Sequence, residues 1–237
     1  MRLGRFHEAE DPVAYGFEWH AYYAPRLTHR LMEAGYLVRL SHQPLLLEED
    51  RALKAGAVVV SIPRGGADAQ KETLERLLRE EALPLGIDVH AIKTGYTMGV
   101  NLGSPQIDVL QKPEVALLVG PGVNSIEAGE IWHLFDQRMH MPITLLSTER
   151  LGSTDLSRYT VIALPNGSYD AVWGEREAEK LKAWTAKGNT LIARAQALTW
   201  IDKMGWRRFP FGSWSSKISK AARRALIRIT KKIAGRG

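Results

Sequence analysis

The sequence predicts an α/β protein built on a doubly wound, mostly parallel sheet. Three observations carry this. Short apolar runs at 57–62 and 114–119 stop at Pro63 and Gly120, as strands covered on both faces do. Segments of helical length and pattern lie between such runs, which argues for crossover connections and parallel pairing. Glycine and proline mark the joins.

Taken in order, residues 1–13 are polar and form a flexible N-terminus. Residues 14–19 are a strand. Residues 21–34 are a helix with Tyr22, Leu27 and Leu31 as apolar positions and Gly35 as its stop. A strand follows at 36–40, then a loop with a short helix at 44–54. The strand at 57–62 closes at Gly65 and Gly66, and Asp68 caps a helix to about Glu81. Residues 87–92 are the next strand. Residues 94–112 hold Gly95, Gly99, Gly103 and Pro105, and read as an irregular connector between a first unit (14–112) and a second (113–206).

The second unit opens on the strand 114–119 and a turn at Gly120 and Gly122. Asn124 and Ser125 are both good N-cap residues, and Glu127 completes a capping-box spacing with Asn124. That helix runs to about Arg138 and stops before Pro142. Strands follow at 143–146, 161–164 and 190–193, with helices at 175–187 and 197–204.

The net charge of +6 is unevenly spread. Residues 207–237 hold ten Lys/Arg and no acid, which leaves 22 basic and 26 acidic side chains, a balance of −4, in the first 206. In the tail, Ile218, Ala222, Ala225, Ile229 and Ile233 recur at helical spacing, with lysine and arginine on other faces. A basic amphipathic helix of this kind binds anionic membranes or nucleic acid, or else docks on its own domain. The absence of cysteine excludes disulfides, thiolate ligands and a cysteine nucleophile. Residues 1–12 carry no apolar core of a signal peptide, and no apolar run is long enough to span a membrane.

The stretch 122–142, GVNSIEAGEIWHLFDQRMHMP, resembles the C-terminal region of bacterial zinc-carboxypeptidase-like proteins. So do FEWHAYYAPRL (17–27), DVHAIKTG (88–95), VNLGSP (100–105), LSRYTVIALPNGSY (156–169) and EKLKAWTAKGNTLIA (179–193), and together the likeness covers roughly residues 14–200. The resemblance implies a flavodoxin-like, class I glutamine amidotransferase-like fold. It implies a detached piece of a larger peptidase, with a zinc-carboxypeptidase catalytic domain as partner. It also implies a periplasmic or secreted location if the chain belongs to a full-length member, and a cytoplasmic one otherwise. The family's zinc-site residues lie upstream of the matched region, so no cofactor is expected here. His7 and Glu10 have the spacing of the zinc pair but lack its surrounding pattern, and solvated charge is the better account.

An amidotransferase nucleophile would stand just after residues 190–193. The sequence there is Arg194, Ala195, Gln196 and Ala197, with no thiol or hydroxyl, so no catalytic residue is assigned. Glu130 and His133 have the spacing of half a di-metal carboxylate motif, but no second helix supplies the other half. The plainer reading makes Trp132 and Phe135 core, and His133 a packed or hydrogen-bonded histidine. The remaining candidates are the turn at Gly120, Gly122, Asn124 and Ser125, whose helix N-terminus can receive an anion, and the loop at Asn166 and Ser168. A small-ligand crevice between the two is one reading, and ordinary turn and surface polarity is the other. The expected function is a non-catalytic structural or ligand-binding module. The alternatives are a hydrolase assembled from Ser, His and acid residues, or an adaptor acting through residues 207–237.

Overall fold

The computed structural model describes residues 2–47, 51–63, 68–96, 100–206 and 227–229. The turn at Gly65 and Gly66, Gly99, and most of the tail lie outside the described residues. The chain divides into two compact units, Met1–Lys112 and Pro113–Gly237.

The first unit holds β1 (Phe6–His7), β2 (Ala14–Phe17), α1 (Ala24–Glu33), β3 (Val38–Ser41), β4 (Leu45–Leu46), β5 (Ala52–Leu53), β6 (Val58–Ser61), α2 (Asp68–Ala82), β7 (Val89–Ile92) and β8 (Ile107–Val109). Its main sheet has the order β1-β7-β2-β6-β3-β8. The strands β7, β2, β6 and β3 are antiparallel to their neighbours, and only β1 runs parallel, to β7. Crossovers through α1 (β2 to β3) and through α2 (β6 to β7) each skip one strand. Two β-α-β units therefore interleave, the split arrangement known from ferredoxin-like folds.

The doubly wound, mostly parallel, flavodoxin-like sheet is thus overturned for this unit. The reason is that burial reports coverage and not strand direction. Tyr15 and Phe17 pack with Leu27 and Leu31 of α1 and Leu74 and Leu78 of α2. Ala14, Val59 and Ile92 face the other way, against Leu45, Leu53 and Val100. All four residues of β2 are buried. An antiparallel strand covered on both faces gives the same unbroken apolar run as a parallel one. The covering layer on the second face includes the antiparallel β4–β5 pair, where a loop and short helix were expected. Gly16 lets it close down, since a Cβ there would sit 2.6 Å from Leu53 Cδ1. The expected connector also contains a strand, β8, paired with β3.

The second unit holds β9 (Val115–Val119), α3 (Ser125–Trp132), β10 (Thr144–Ser147), β11 (Val161–Leu164), α4 (Glu175–Ala186), β12 (Thr190–Ala193), α5 (Gln196–Lys203) and β13 (Ile227–Ile229). The order is β10-β9-β11-β12-β13. The first four strands are parallel and β13 is antiparallel to β12. At residues 227–229 the tail is therefore strand, where a helix was expected. One face of the sheet carries a continuous core in which Leu118, Ile162, Leu164 and Leu191 meet Leu181 and Trp184 of α4 and Trp200 of α5. Trp173 joins Tyr169 at 4.7 Å and Trp200 at 5.1 Å between ring centroids, and its indole N–H donates to the Thr148 carbonyl at 2.9 Å. Burying each such ring contributes roughly 1.5–3 kcal/mol.

The helix α3 belongs to the other face and buries only Ala128. Leu145 of β10 is left 52% exposed, and Ile126 of α3 75%. Two full helical layers, as a flavodoxin-like or amidotransferase-like fold requires, are not seen among the described residues. Among the described residues the chain carries a mixed six-stranded sheet and a separate five-stranded one, parallel except at its β13 edge, not a single doubly wound sheet.

Candidate functional site

In the second unit the chain reverses its direction of strand addition between β9 and β11, because β10 lies on one side of β9 and β11 on the other. Crevices at the carboxyl ends of strands open at such switch points. Three loops meet there, following β9, β11 and β12.

The first loop turns at Gly120 (φ +99°) and Gly122 (φ +81°), a backbone conformation that disfavours any side chain. Asn124 caps α3, its Oδ1 accepting from the Glu127 amide at 3.1 Å. The Glu127 carboxylate does not return to the Asn124 amide, so the expected capping box is only half formed. Its Oε1 instead accepts from the Asn166 amide at 3.2 Å and lies 3.1 Å from Arg194 Nη1.

The second loop comes up against the first. Val123 and Gly167 form an antiparallel bridge. The Asn124 amide donates to the Asn166 carbonyl at 2.9 Å, and the Ser168 amide to the Gly122 carbonyl at 2.7 Å. Below them the buried Tyr169 hydroxyl donates to the Pro165 carbonyl at 2.9 Å. Burial, and then the nearby Glu127 carboxylate, hold that phenol far above its ordinary range, so it stays protonated. Thr148 Oγ1 ties the first loop from the β10 side by donating to the Pro121 carbonyl at 2.8 Å.

The third loop is Arg194 and Ala195, between β12 and α5. Ala195 has φ +48° and ψ −118°, a strained conformation for an L-residue with a side chain. The next amide, Gln196 N–H, donates to Asn166 Oδ1 at 3.2 Å. Asn166 thus joins all three loops: its carbonyl holds Asn124, its amide holds Glu127, and its side chain holds Gln196.

Gly120, Gly122, Asn124, Asn166 and Ser168 therefore come from the two loops expected to face each other. The amides of Asn124, Asn166 and Ser168 are engaged in tying the loops together. Ser125 is exposed at the start of α3. Glu127, Arg194 and Ala195 were missed as members of this junction. The sequence spacing gives Glu127 only a capping-box role. An alanine carries no sequence signal at all.

The other candidates are spread elsewhere. His133 and Glu130 are exposed, and Trp132 is 37% exposed, not core. The cause is local: α3 passes at His133 into a π-helical turn, His133–Arg138, in which no residue is buried. Phe135 is half-buried. In the first unit, His7 sits in β1 stacked on His90, while Glu8 pairs with Arg79 at 2.5 Å. His42 lies 2.7 Å from Asp108. Among the described residues, no group of three or more His, Cys, Asp or Glu is placed to hold a metal ion, and no helix is long and apolar enough to cross a membrane. Comparison with protein-family models, with curated proteins and with solved structures gave no significant match.

Proposed function

We propose that the chain is a non-catalytic accessory module that works beside a zinc-carboxypeptidase-type catalytic domain, whose family its sequence resembles. The observation that carries this reading is Ala195. A sharp, strained strand-to-helix turn is how α/β hydrolytic enzymes lift a nucleophile clear of the sheet, with the following backbone N–H available to an oxyanion. Here the strained position bears a methyl group. The following N–H is bound to Asn166 Oδ1. The turn serves shape and not bond cleavage. Between structural support and ligand binding, the amides of Asn124, Asn166 and Ser168, spent on tying the loops together, favour support.

The test uses the purified full chain, alone and mixed with a zinc-carboxypeptidase catalytic domain encoded in an adjacent reading frame. Alone it should release no C-terminal residue from peptides and no ammonia from glutamine above the blank. Mixed, the two should elute together. Turnover by the chain alone would remove "non-catalytic", and separate elution would remove "accessory".

A further inference from the structure

Residues 2–8 are held to the outer edge of β7 by a small set of contacts. Phe6 and His7 pair with Val89 and His90. The Gly4 amide donates to the Leu83 carbonyl and the Val89 amide to the Arg5 carbonyl, both at 2.8 Å. Asp88 accepts from the Arg5 amide at 2.8 Å and from the Arg2 guanidinium at 3.1 Å. Within this docking lies a histidine pair. The rings of His7 and His90 are stacked, with centroids 4.3 Å apart and planes 11° from parallel. Nδ1 of His90 is buried and has no hydrogen-bond partner.

We propose that this pair is an acid-released clamp: protonation of the His90 imidazole stacked on His7 lifts residues 2–8 off β7 and leaves the outer edge of that strand unpaired. Neutral imidazoles stack comfortably. Two imidazolium rings at that spacing repel each other. The groups facing His90 are His7 on β1, Asp88 beside it on β7, Glu18 just after β2 and Arg51 just before β5. Neither carboxylate is uncommitted. Asp88 already holds Arg2 and the Arg5 amide, and Glu18 accepts from the Lys54 amide at 2.9 Å and lies 3.4 Å from His20. Arg51 adds repulsion. On the opposite side of the strand, Phe6 lies under the Arg79 guanidinium, 3.9 Å from its ring centroid, and Arg79 pairs with Glu8.

Burial first, and then His7, hold His90 below its ordinary value of 6.5. The docked state therefore binds fewer protons than the released one. Docking is at full strength above that ordinary value and weakens as pH falls from it toward the lowered one. An unpaired β7 edge presents a row of backbone donors and acceptors to any further strand.

Hydrogen exchange on the full chain, compared at about pH 7.5 and about pH 5.5 after correction for intrinsic rates, tests this. The amides of Gly4, Arg5 and Val89, whose acceptors lie across this contact, should exchange about tenfold faster or more at the lower pH. His7→Phe keeps an aromatic stack over the still-buried His90 but removes the charge facing it, and should reduce that gain while leaving the part that burial of His90 causes. An NMR titration of the unaltered chain needs no variant: release must follow the His90 ring. Equal protection at both pH values, an undiminished gain in His7→Phe, or release that follows carboxylate titration overturns the proposal.

Discussion

Gly167→Ala probes the junction between the loops most directly. A Cβ at Gly167 would stand 2.3 Å from the Gly122 carbonyl oxygen and 3.1 Å from Val123 Cα. Both neighbours are backbone, so neither can rotate away, and the two loops must part. Parting them breaks or strains the bonds from Ser168 N–H to Gly122 (2.7 Å) and from Asn124 N–H to Asn166 (2.9 Å). At about 0.5–1.5 kcal/mol net for each bond, their loss costs about 1–3 kcal/mol. Residual overpacking where the loops cannot fully separate adds about 1–3 kcal/mol. The expected destabilisation is about 2–6 kcal/mol, confined to the second unit. Urea unfolding followed by tryptophan fluorescence reads it, because Trp173, Trp184 and Trp200 are buried in that unit's core. Gly129→Ala is the control, since its Cβ would meet nothing within 4 Å on α3. It should stabilise the protein by about 0.5–1 kcal/mol. A loss below about 1 kcal/mol for Gly167→Ala, less than the two bonds alone require, would refute the close backbone junction of the two loops.

Two further outcomes follow from the same junction. Ala195→Gly relieves a positive-φ cost of about 1–3 kcal/mol against about 0.4–1 kcal/mol of added freedom in the unfolded chain, so it should stabilise, whereas the β-branched Ala195→Val should destabilise by about 1–3 kcal/mol. Thermal melts that move in the same direction for both would show that the turn is not strained as described. Glu127→Gln should cost about 1–2 kcal/mol, because it removes the charge from a part-buried pair with Arg194, in which the side chains are 15% and 24% exposed. Adding Arg194→Met should then cost little more, and full additivity in that cycle would show that the two side chains do not couple.

Much of the element placement was legible in the sequence, and strand direction was not. Residues 161–164 and 190–193 are strands as expected, and the helices expected at 175–187 and 197–204 are there within one residue. Local signals sufficed, namely apolar runs, glycine stops and helical spacing. Strand direction depends on which strand slips between two others. In the first unit β6 lies between β2 and β3, and β2 lies between β6 and β7. Nothing in a run such as residues 57–62 records that insertion. The shortest strands were missed for a related reason. Phe6–His7 and Ile107–Val109 are too short to show a period of two, and each is a strand because an edge of the sheet supplies partners.

The junction was half legible, and the missing half decides its character. Turn chemistry points directly at Gly120, Gly122, Asn124 and Asn166, and polar groups at the carboxyl edge of a parallel sheet suggest a ligand. Amides at such an edge have two possible uses: they can aim into a crevice, or they can pair across it. Spacing between the loops decides between these uses. Here it is set by the missing Cβ of Gly167, which lets one backbone approach the other to bridging distance. Glu127 and Arg194 then fill the gap that remains, from positions 67 residues apart in the chain. The alanine at the strained turn beside them is recognisable only by its φ. The features that close this crevice are thus a missing side chain, a long-range ion pair and a backbone angle, and none of them appears as a motif.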